Sequence, residues 1–185
     1  MSTIEKSIEV NVPVSTAYNQ WTQFEEFPKF MEGVEEVRQI DDTHLHWKAK
    51  VAGQLKEWDA EITEQRPDER VAWTNTDGAR NAGVVTFHRL SDDKTKIMAQ
   101  MDVDPEGLGE KVGDALGLVK RRVKADLERF REMIESRGSE TGAWRGVVED
   151  GERTGHATPT PESDISQSDL GTGHGTKPSE FKPHT

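Results

Sequence analysis

The fold of this chain is decided by residues 105–138, PEGLGEKVGDALGLVKRRVKADLERFREMIESRG. Pro105 suits the start of a helix and Gly138 suits the left-handed position that ends one. About thirty residues at a rise of 1.5 Å each give a helix of roughly 45 Å, which needs a broad partner such as a curved sheet. Between these ends, apolar residues recur at steps of four and three, the period of one helix face: Val112, Leu116, Val119, Val123, Leu127, Phe130 and Ile134.

Three glycines lie four residues apart in the first half of this predicted helix. Gly109, Gly113 and Gly117 share one face, and each costs about 1 kcal/mol relative to alanine inside a helix. Two interpretations are open at this point. The glycines allow close approach of the helix backbone to the sheet or mark a frayed first turn, or they leave a helix face without side chains beside a cavity.

The composition argues against several classes of function. The chain has 185 residues and no cysteine, so it has no disulfide, thiol nucleophile or thiolate metal site. No run approaches the roughly 18 apolar residues of a membrane span, so we expect no stable membrane insertion. The net charge of −11 argues against nucleic-acid partners and against broad binding to anionic membranes. The N-terminal residues lack the pattern of a signal peptide, and we expect a cytoplasmic protein.

The chain before the long helix is predicted to form strands interrupted by two short helices. Residues 4–10 alternate between apolar and polar, apart from Lys6, and two aromatic-rich helical segments follow before Gly33. Because the connections between strands are short, sequential neighbours should pair in an antiparallel sheet. Six further strands are predicted, at residues 34–40, 44–51, 55–64, 71–74, 84–90 and 95–103.

The character of the sequence changes at residue 139. Of the 47 residues from there to the end, 23 are Gly, Pro, Ser or Thr, a composition that buries too little apolar surface to offset ordering entropy. We assign residues 1–138 to a folded domain and expect residues 150–185 to form a disordered acidic tail. Residues 139–149 contain a short apolar motif around Trp144, which docks on the domain, binds another protein, or does neither.

No catalytic or metal-binding signature stands out. His44 and His46 lie two apart on the polar face of a strand without an evident third ligand, and we interpret them as solvated. Glu57, Asp59 and Glu61 alternate with apolar residues and should face water. The sequence lacks a phosphate loop, a dinucleotide fingerprint and a nucleophile elbow. It therefore predicts no catalytic residue, no metal site and no cofactor.

The strongest positive signal is aromatic. Trp47, Trp58 and Trp73 fall on the inner faces of three successive predicted strands, and Phe87 and Met101 fall on the next two. A packed core is one interpretation. The helix glycines favour the other, because a strongly curved sheet with one helix often under-fills its interior, and such interiors bind small apolar molecules.

With this order of elements, residues 2–138 resemble the helix-grip (SRPBCC) superfamily of polyketide cyclases, START lipid-transfer domains and birch-pollen-allergen-like proteins. Within it, they are most similar to the bacterial cyclase/dehydrase group related to the coenzyme Q-binding START proteins. The resemblance is carried by residues 8–34, IEVNVPVSTAYNQWTQFEEFPKFMEGV; by residues 70–90, RVAWTNTDGARNAGVVTFHRL; and by residues 101–138, which include the long helix.

The resemblance implies an α+β helix-grip fold, in which a seven-stranded curved antiparallel sheet surrounds the long C-terminal helix and two short helices follow strand 1. It also implies an apolar ligand tunnel between sheet and helix. The implied ligand-binding residues are Trp47, Trp58, Trp73, Phe87 and Met101 on the strand side, Gly109, Gly113 and Gly117 on the helix side, and Phe30 near the entrance.

Three functions are consistent with this resemblance. The first is non-enzymatic binding, transport or sensing of a small hydrophobic molecule, such as a lipid, a quinone or a polyketide. The second is a polyketide aromatase/cyclase, which would position a reactive chain with polar side chains such as Asn81. Inward-facing polar candidates are few: Asn75, Asn81, and Arg89 if its strand keeps register. The third is a protein-interaction or stress module that binds a protein partner through the C-terminal tail.

Overall fold

A computed structural model describes residues 2–51, 53–78, 80–104 and 112–156. It confirms the predicted α+β fold, with an antiparallel sheet and a long C-terminal helix packed on it. The elements, in chain order, are β1 (Ser2–Val10), α1 (Val14–Trp21), a 3₁₀ helix (Phe24–Lys29), β2 (Val34–Gln39), β3 (His44–Val51), β4 (Gln54–Arg66), β5 (Arg70–Asn75), β6 (Asn81–Ser91), β7 (Lys94–Val103), α2 (Val112–Arg137), β8 (Gly146–Glu149) and β9 (Glu152–His156).

The seven predicted strands form one continuous sheet in the order β1-β7-β6-β5-β4-β3-β2. All neighbouring pairs are antiparallel, and β2 to β7 follow one another as hairpins. The first strand is the exception, because α1 and the 3₁₀ helix separate it from β2, and it pairs instead with β7. The two short helices thereby lie between the two edge strands in the chain and close one end of the sheet's inner face.

Helix α2 ends as its sequence predicts. Gly138 has φ of 72°, and its N–H donates to the carbonyl of Ile134 at 2.8 Å, which stops the helix in the left-handed conformation. The apolar stripe is buried in the second half of the helix, where Leu127, Phe130 and Ile134 are at most 3% exposed. The predicted start at Pro105 lies outside the described residues.

An aromatic cluster fills the end of the interior beneath α1 and the 3₁₀ helix. The Trp21 ring lies 5.2 Å from Phe130 of α2 and 5.8 Å from Phe30, measured between centroids. Phe87 of β6 meets Tyr18 edge-on at 5.4 Å. Since these rings interlock across helix and sheet, they form a packed core that closes this end of the interior.

Two strands beyond the long helix extend the sheet, and the second of them lies where the sequence predicts a disordered tail. Strand β3 pairs with β4 only as far as Glu61, so the last residues of β4 have a free edge, which β8 takes by pairing Val148 with Gln65. The apolar motif around Trp144 therefore docks on the domain. Disorder from residue 150 was expected, but residues 152–156 form β9, because a tight turn with Gly151 at φ 77° pairs this polar segment with the docked β8. Residues 157–185 lie outside the described residues.

Polar contacts fasten this C-terminal hairpin to α1 and to the β4–β5 turn. The Arg145 guanidinium donates to both oxygens of Asp68, at 3.0 and 2.7 Å, and to Asn19 Oδ1 at 2.7 Å. The same guanidinium lies 5.7 Å from the centre of the Tyr18 ring. A bidentate pair of this kind fixes orientation as well as adding energy, so the hairpin is held in one register.

Candidate ligand-binding cavity

A cavity of about 270 Å³ lies between the inner face of the sheet and the middle of α2. Its wall runs from Ala99 and Met101 on β7 across the sheet to Val34 on β2, and Val119, Val123 and Leu127 close it from the helix. The lining is dominated by apolar side chains. The volume is close to the lower end of the range for small-molecule sites, which is roughly 300–1,000 Å³.

Two stacked indoles form the wall at β3 and β4. Trp47 and Trp58 are directly opposite in the strand register, and both line the cavity. Their ring centroids are 5.9 Å apart, with only 7° between the ring planes. Because both residues occupy inward positions of an alternating pattern, the register alone brings the rings together, and they offer a flat aromatic surface.

A third indole, that of Trp73, owes its position to a glycine on the neighbouring strand. Trp73 of β5 pairs with Gly83 of β6, and a Cβ atom at Gly83 would lie 2.5 Å from Trp73 Cζ2 and 2.9 Å from the carbonyl oxygen of Gln100. Both distances are too short for real contacts, so the ring occupies the space that a side chain at 83 would take. A glycine in a strand interior, opposite an aromatic residue, is the sequence signal for this arrangement.

Two asparagines flank the connection between β5 and β6: Asn75 is the last residue of β5 and Asn81 is the first residue of β6. The backbone N–H of Asn81 donates to Asn75 Oδ1 at 2.7 Å, and the Asn75 amide donates to the carbonyl of Asp77. Both residues line the cavity. The Asn81 Oδ1 atom is buried and has no hydrogen-bond partner in the described part of the chain. It is thus a desolvated acceptor in an apolar wall.

A polar seam, formed by Arg122, Asp126 and Arg129, joins α2 to the end of β3 and to the loop before β2. Arg122 Nη1 donates to the Lys50 carbonyl at 3.2 Å. Asp126 accepts the backbone N–H of Glu32 at 3.1 Å, and Arg129 Nε donates to the Phe30 carbonyl at 2.8 Å. The spacing of four and three residues places all three on one face of the helix.

The electrostatics of the polar seam centre on Asp126, which lines the cavity together with Arg122. Burial raises the pKa of the Asp126 carboxyl, although hydrogen bonds from the Glu32 backbone and from Arg129 oppose the shift. The side chain is only 15% exposed. A carboxyl with a raised pKa at the margin of an apolar cavity is the most chemically distinctive group of this wall.

The structure brings five of the predicted site residues together on the cavity wall: Trp47, Trp58, Trp73, Asn81 and Met101. It places Phe30 and Phe87 elsewhere, in the aromatic cluster around Trp21, where they are at most 5% exposed. The difference arises because the alternation of apolar and polar residues along a strand shows which side chains face inward. It does not show which end of the interior the two short helices fill.

The predicted helix glycines do not form a described part of this wall. Gly117 does not line the cavity, and within the described residues no atom lies within 4 Å of a Cβ placed there. Gly113 lies in α2, and Gly109 lies outside the described residues. Trp21, Phe24 and Phe27 also line the cavity, a contribution that strand alternation does not predict. The available signal in the sequence is the density of aromatic residues in the two short helices.

The other polar candidates lie on the outside of the sheet. His46 Nδ1 is 2.6 Å from Asp59 Oδ1, and His44 Nδ1 is 2.9 Å from Asp41 Oδ1. Arg89 is exposed and pairs with Asp92. In the described ranges, no three His, Cys, Asp or Glu side chains are grouped to hold a metal ion, and no helix is long and apolar enough to cross a membrane.

These features define a START-like helix-grip protein, in which an antiparallel sheet and a long C-terminal helix enclose a cavity. Residues 10–131 match the family described as polyketide cyclase/dehydrase and lipid transport, and the chain belongs to that family. A relative from Streptomyces lincolnensis, an uncharacterized 17.2 kDa protein, is 66% identical over 149 residues, which are 80% of this chain and 99% of the relative.

Solved structures share the fold at low sequence identity. The Zhui aromatase/cyclase from Streptomyces sp. R1128 is 15% identical with a TM-score of 0.62, over 77% of this chain and 99% of that one. A START superfamily protein from Mycobacterium smegmatis is 16% identical with a TM-score of 0.58, over 73% of this chain and 95% of that one. At these identities the similarity establishes the fold alone.

Proposed function

We propose that this protein binds a small hydrophobic molecule in the cavity and carries or senses it without transforming it. The observation that supports this most directly is the unfilled apolar space walled by Trp47, Trp58 and Trp73. Burial of a ligand there would contribute about 25 cal/mol per Å² of apolar surface. The parallel indoles favour a ligand with flat rings, because aromatic surfaces gain energy from offset stacking beyond their burial.

The lining favours binding over catalysis. Besides the indoles, the described wall offers few polar side chains: Glu32, Asn75, Asn81, Arg122 and Asp126. Most of these have hydrogen-bond or ion-pair partners within the protein, so their main role is to stabilise the fold. The family description names lipid transport as well as cyclase/dehydrase activity, and a carrier is the simpler use of this wall.

A polyketide aromatase/cyclase is the second candidate, and Asp126 is the observation that favours it. A buried carboxyl with a raised pKa can hold or release a proton beside a reacting chain. The test is incubation with a linear poly-β-ketone thioester and analysis of the products. Ring closure that is faster with the native protein than without protein, and that loses this acceleration in Asp126→Asn, supports the enzyme. A product distribution that is the same with and without the native protein contradicts it.

The carrier proposal predicts a bound molecule in protein isolated from its own host. Native mass spectrometry should detect a stoichiometric apolar adduct, and solvent extraction should release it for identification. Trp58→Ala should reduce the occupied fraction severalfold, because it removes one of the two stacked rings. Trp144→Ala is the matched control, since Trp144 packs under Arg153 on the C-terminal hairpin and is not a lining residue.

Two results would contradict the proposal. One is an empty protein that also fails to bind added fatty acids or quinones. The other is an equal loss of ligand in Trp58→Ala and Trp144→Ala, which would mean that occupancy follows general stability rather than the cavity wall.

A further inference from the structure

Asn81 differs from the other polar residues of the cavity wall. Every other charged or amide side chain of the described wall has a partner: Arg122 donates to Lys50, and Asp126 and Glu32 meet Arg129. The Asn81 side chain has no such contact within the described residues, and its Oδ1 atom is buried. An unpaired buried acceptor destabilises a folded protein, so its presence requires an explanation.

The backbone around Asn81 is fixed in advance of any ligand. Its N–H is held by Asn75 Oδ1 at 2.7 Å, and Asn75 is itself held by the carbonyl of Asp77. On the inner face, its cross-strand neighbour is Val103, which also lines the cavity. The neighbouring strand pairs carry Trp73 opposite Gly83 and Gly83 opposite Met101. Among the described lining residues, the Asn81 carboxamide is therefore the polar group left without a partner, at the edge of a largely apolar, indole-walled space.

We infer that the ligand carries a hydroxyl group that donates a hydrogen bond to the Asn81 carboxamide oxygen. This inference rests on the proposed function and narrows it. A hydroxylated ring compound or an alcohol-bearing lipid satisfies the acceptor, whereas a quinone offers only acceptors and leaves Oδ1 unpaired. A hydroxyl reaches Oδ1 after rotation of the amide about χ2, which has a broad, shallow torsional profile.

A buried water molecule is the competing explanation for the unpaired oxygen. An ordered water needs two to four polar partners. Beside Asn81, Val103 is apolar, and the Asn75 carboxamide already accepts the Asn81 N–H and donates to the Asp77 carbonyl. A ligand hydroxyl needs only the one acceptor, because the rest of the ligand is held by apolar contact.

The test uses two probes of nearly equal size, 2-naphthol and 2-methylnaphthalene, which differ by a hydroxyl in place of a methyl group. Equilibrium dialysis measures the Kd of each for the full chain and for Asn81→Leu. The ratio of the two Kd values should favour 2-naphthol about three- to tenfold more in the native protein than in the variant, the effect of one hydrogen bond. Comparing ratios cancels the different hydrophobicities of the probes.

Control variants separate a local effect from a general one. Met101→Leu keeps the polar group and nearly conserves the volume, so it should leave the ratio unchanged. Asn81→Ala repeats the comparison with a smaller side chain, and circular dichroism verifies that each variant is folded. If Asn81→Leu does not fold, Asn81→Ala decides the matter.

The outcomes distinguish this inference from the proposed function. Binding of both probes with the same Kd ratio in the native protein and in the Asn81 variants overturns the hydroxyl inference and leaves the carrier proposal standing. Retention of neither probe by the native protein overturns the hydroxyl inference, and the carrier proposal falls with it if added fatty acids and quinones also fail to bind. A ratio that falls in the Asn81 variants and not in Met101→Leu establishes the hydrogen bond.

Discussion

Because the Trp73 ring lies over Gly83, adding a single methyl group at position 83 should have a measurable effect. Gly83→Ala should lower the free energy of unfolding by about 1–3 kcal/mol, because the new Cβ must displace the indole or the Gln100 carbonyl. A displaced indole would also enter the cavity and weaken ligand binding. Thermal or denaturant unfolding measures the first effect, and probe binding measures the second.

Gly117→Ala is the matched control for that substitution. No described atom lies within 4 Å of a Cβ at this position in α2, so alanine should add about 1 kcal/mol of stability through helix propensity. Equal behaviour of the two variants would contradict the proposed role of Gly83.

At the residue scale, strand alternation is the part of the site that the sequence predicts. Trp47, Trp58 and Trp73 line the cavity because every second residue of a half-buried strand faces inward. Phe30 and Phe87 are also apolar and buried, but they lie in the packed end of the interior. The position of that end depends on how α1 and the 3₁₀ helix cross the sheet. That crossing is a tertiary property, and local periodicity does not contain it.

At the scale of elements, the polar seam that joins α2 to the end of β3 and to the loop before β2 should act as a side entrance to the cavity. Arg122 lines the cavity and also bridges α2 to Lys50. Arg122→Met keeps most of the apolar stem and removes the bridge, so ligand dissociation should accelerate by about tenfold, as expected for one hydrogen bond from a charged donor. Stopped-flow displacement of a bound probe measures the rate.

Lys124→Met is the control for this experiment, since Lys124 is an exposed residue on the same helix and does not line the cavity. It should leave the dissociation rate unchanged. Equal rates in the native protein and in Arg122→Met would show that ligand does not leave through the seam.

The C-terminal hairpin is the element that the sequence did not predict. Its composition is polar and rich in glycine, and composition alone assigns such segments to disorder. What orders it is a free edge on β4, created because β3 is shorter than its neighbour, together with the fit of Arg145 to Asp68. Both are relations between distant parts of the chain, so neither is visible in a local window.

At the scale of the whole molecule, the contact between the 3₁₀ helix and the segment that joins α2 to β8 predicts a pH dependence of stability. Burial alone would raise the pKa of Glu26, but hydrogen bonds from Thr141, Lys29 and Gln20 outweigh it and lower the pKa from 4.5 to about 2. A depressed carboxyl pKa contributes stability above pH 4.5, and this contribution is lost as the pH falls from 4.5 towards 2.

Glu26→Gln should therefore reduce the fall in unfolding free energy over that pH range, measured by denaturant titration at several pH values. Glu36→Gln, an exposed carboxyl on β2, is the control and should retain the native pH profile. An unchanged profile in Glu26→Gln would show that Glu26 is not the responsible carboxyl.

Two truncations separate the hairpin from the residues that follow it. Removal of residues 139–185 should lower the unfolding free energy by more than about 2 kcal/mol, because it exposes the contacts of the fully buried Val148 and breaks the Arg145–Asp68 pair. Removal of residues 157–185 should leave stability unchanged. In a pull-down, loss of a protein partner on removal of residues 157–185 alone would assign the interaction to those residues. Persistence of the partner would show that those residues are not its binding site.

Strand β4 pairs with β3, with β5 and, through Gln65, with β8 at Val148, while β1 at Ser2 pairs with β7 at Val103. Sheets that depend on such distant pairings fold slowly, because loop-closure entropy must be overcome before the contacts form. During synthesis, the first strand has no partner until β7 has left the ribosome, and the end of β4 has an open edge until β8 follows. Newly made chains are therefore vulnerable to strand-edge aggregation until nearly the whole domain has been translated.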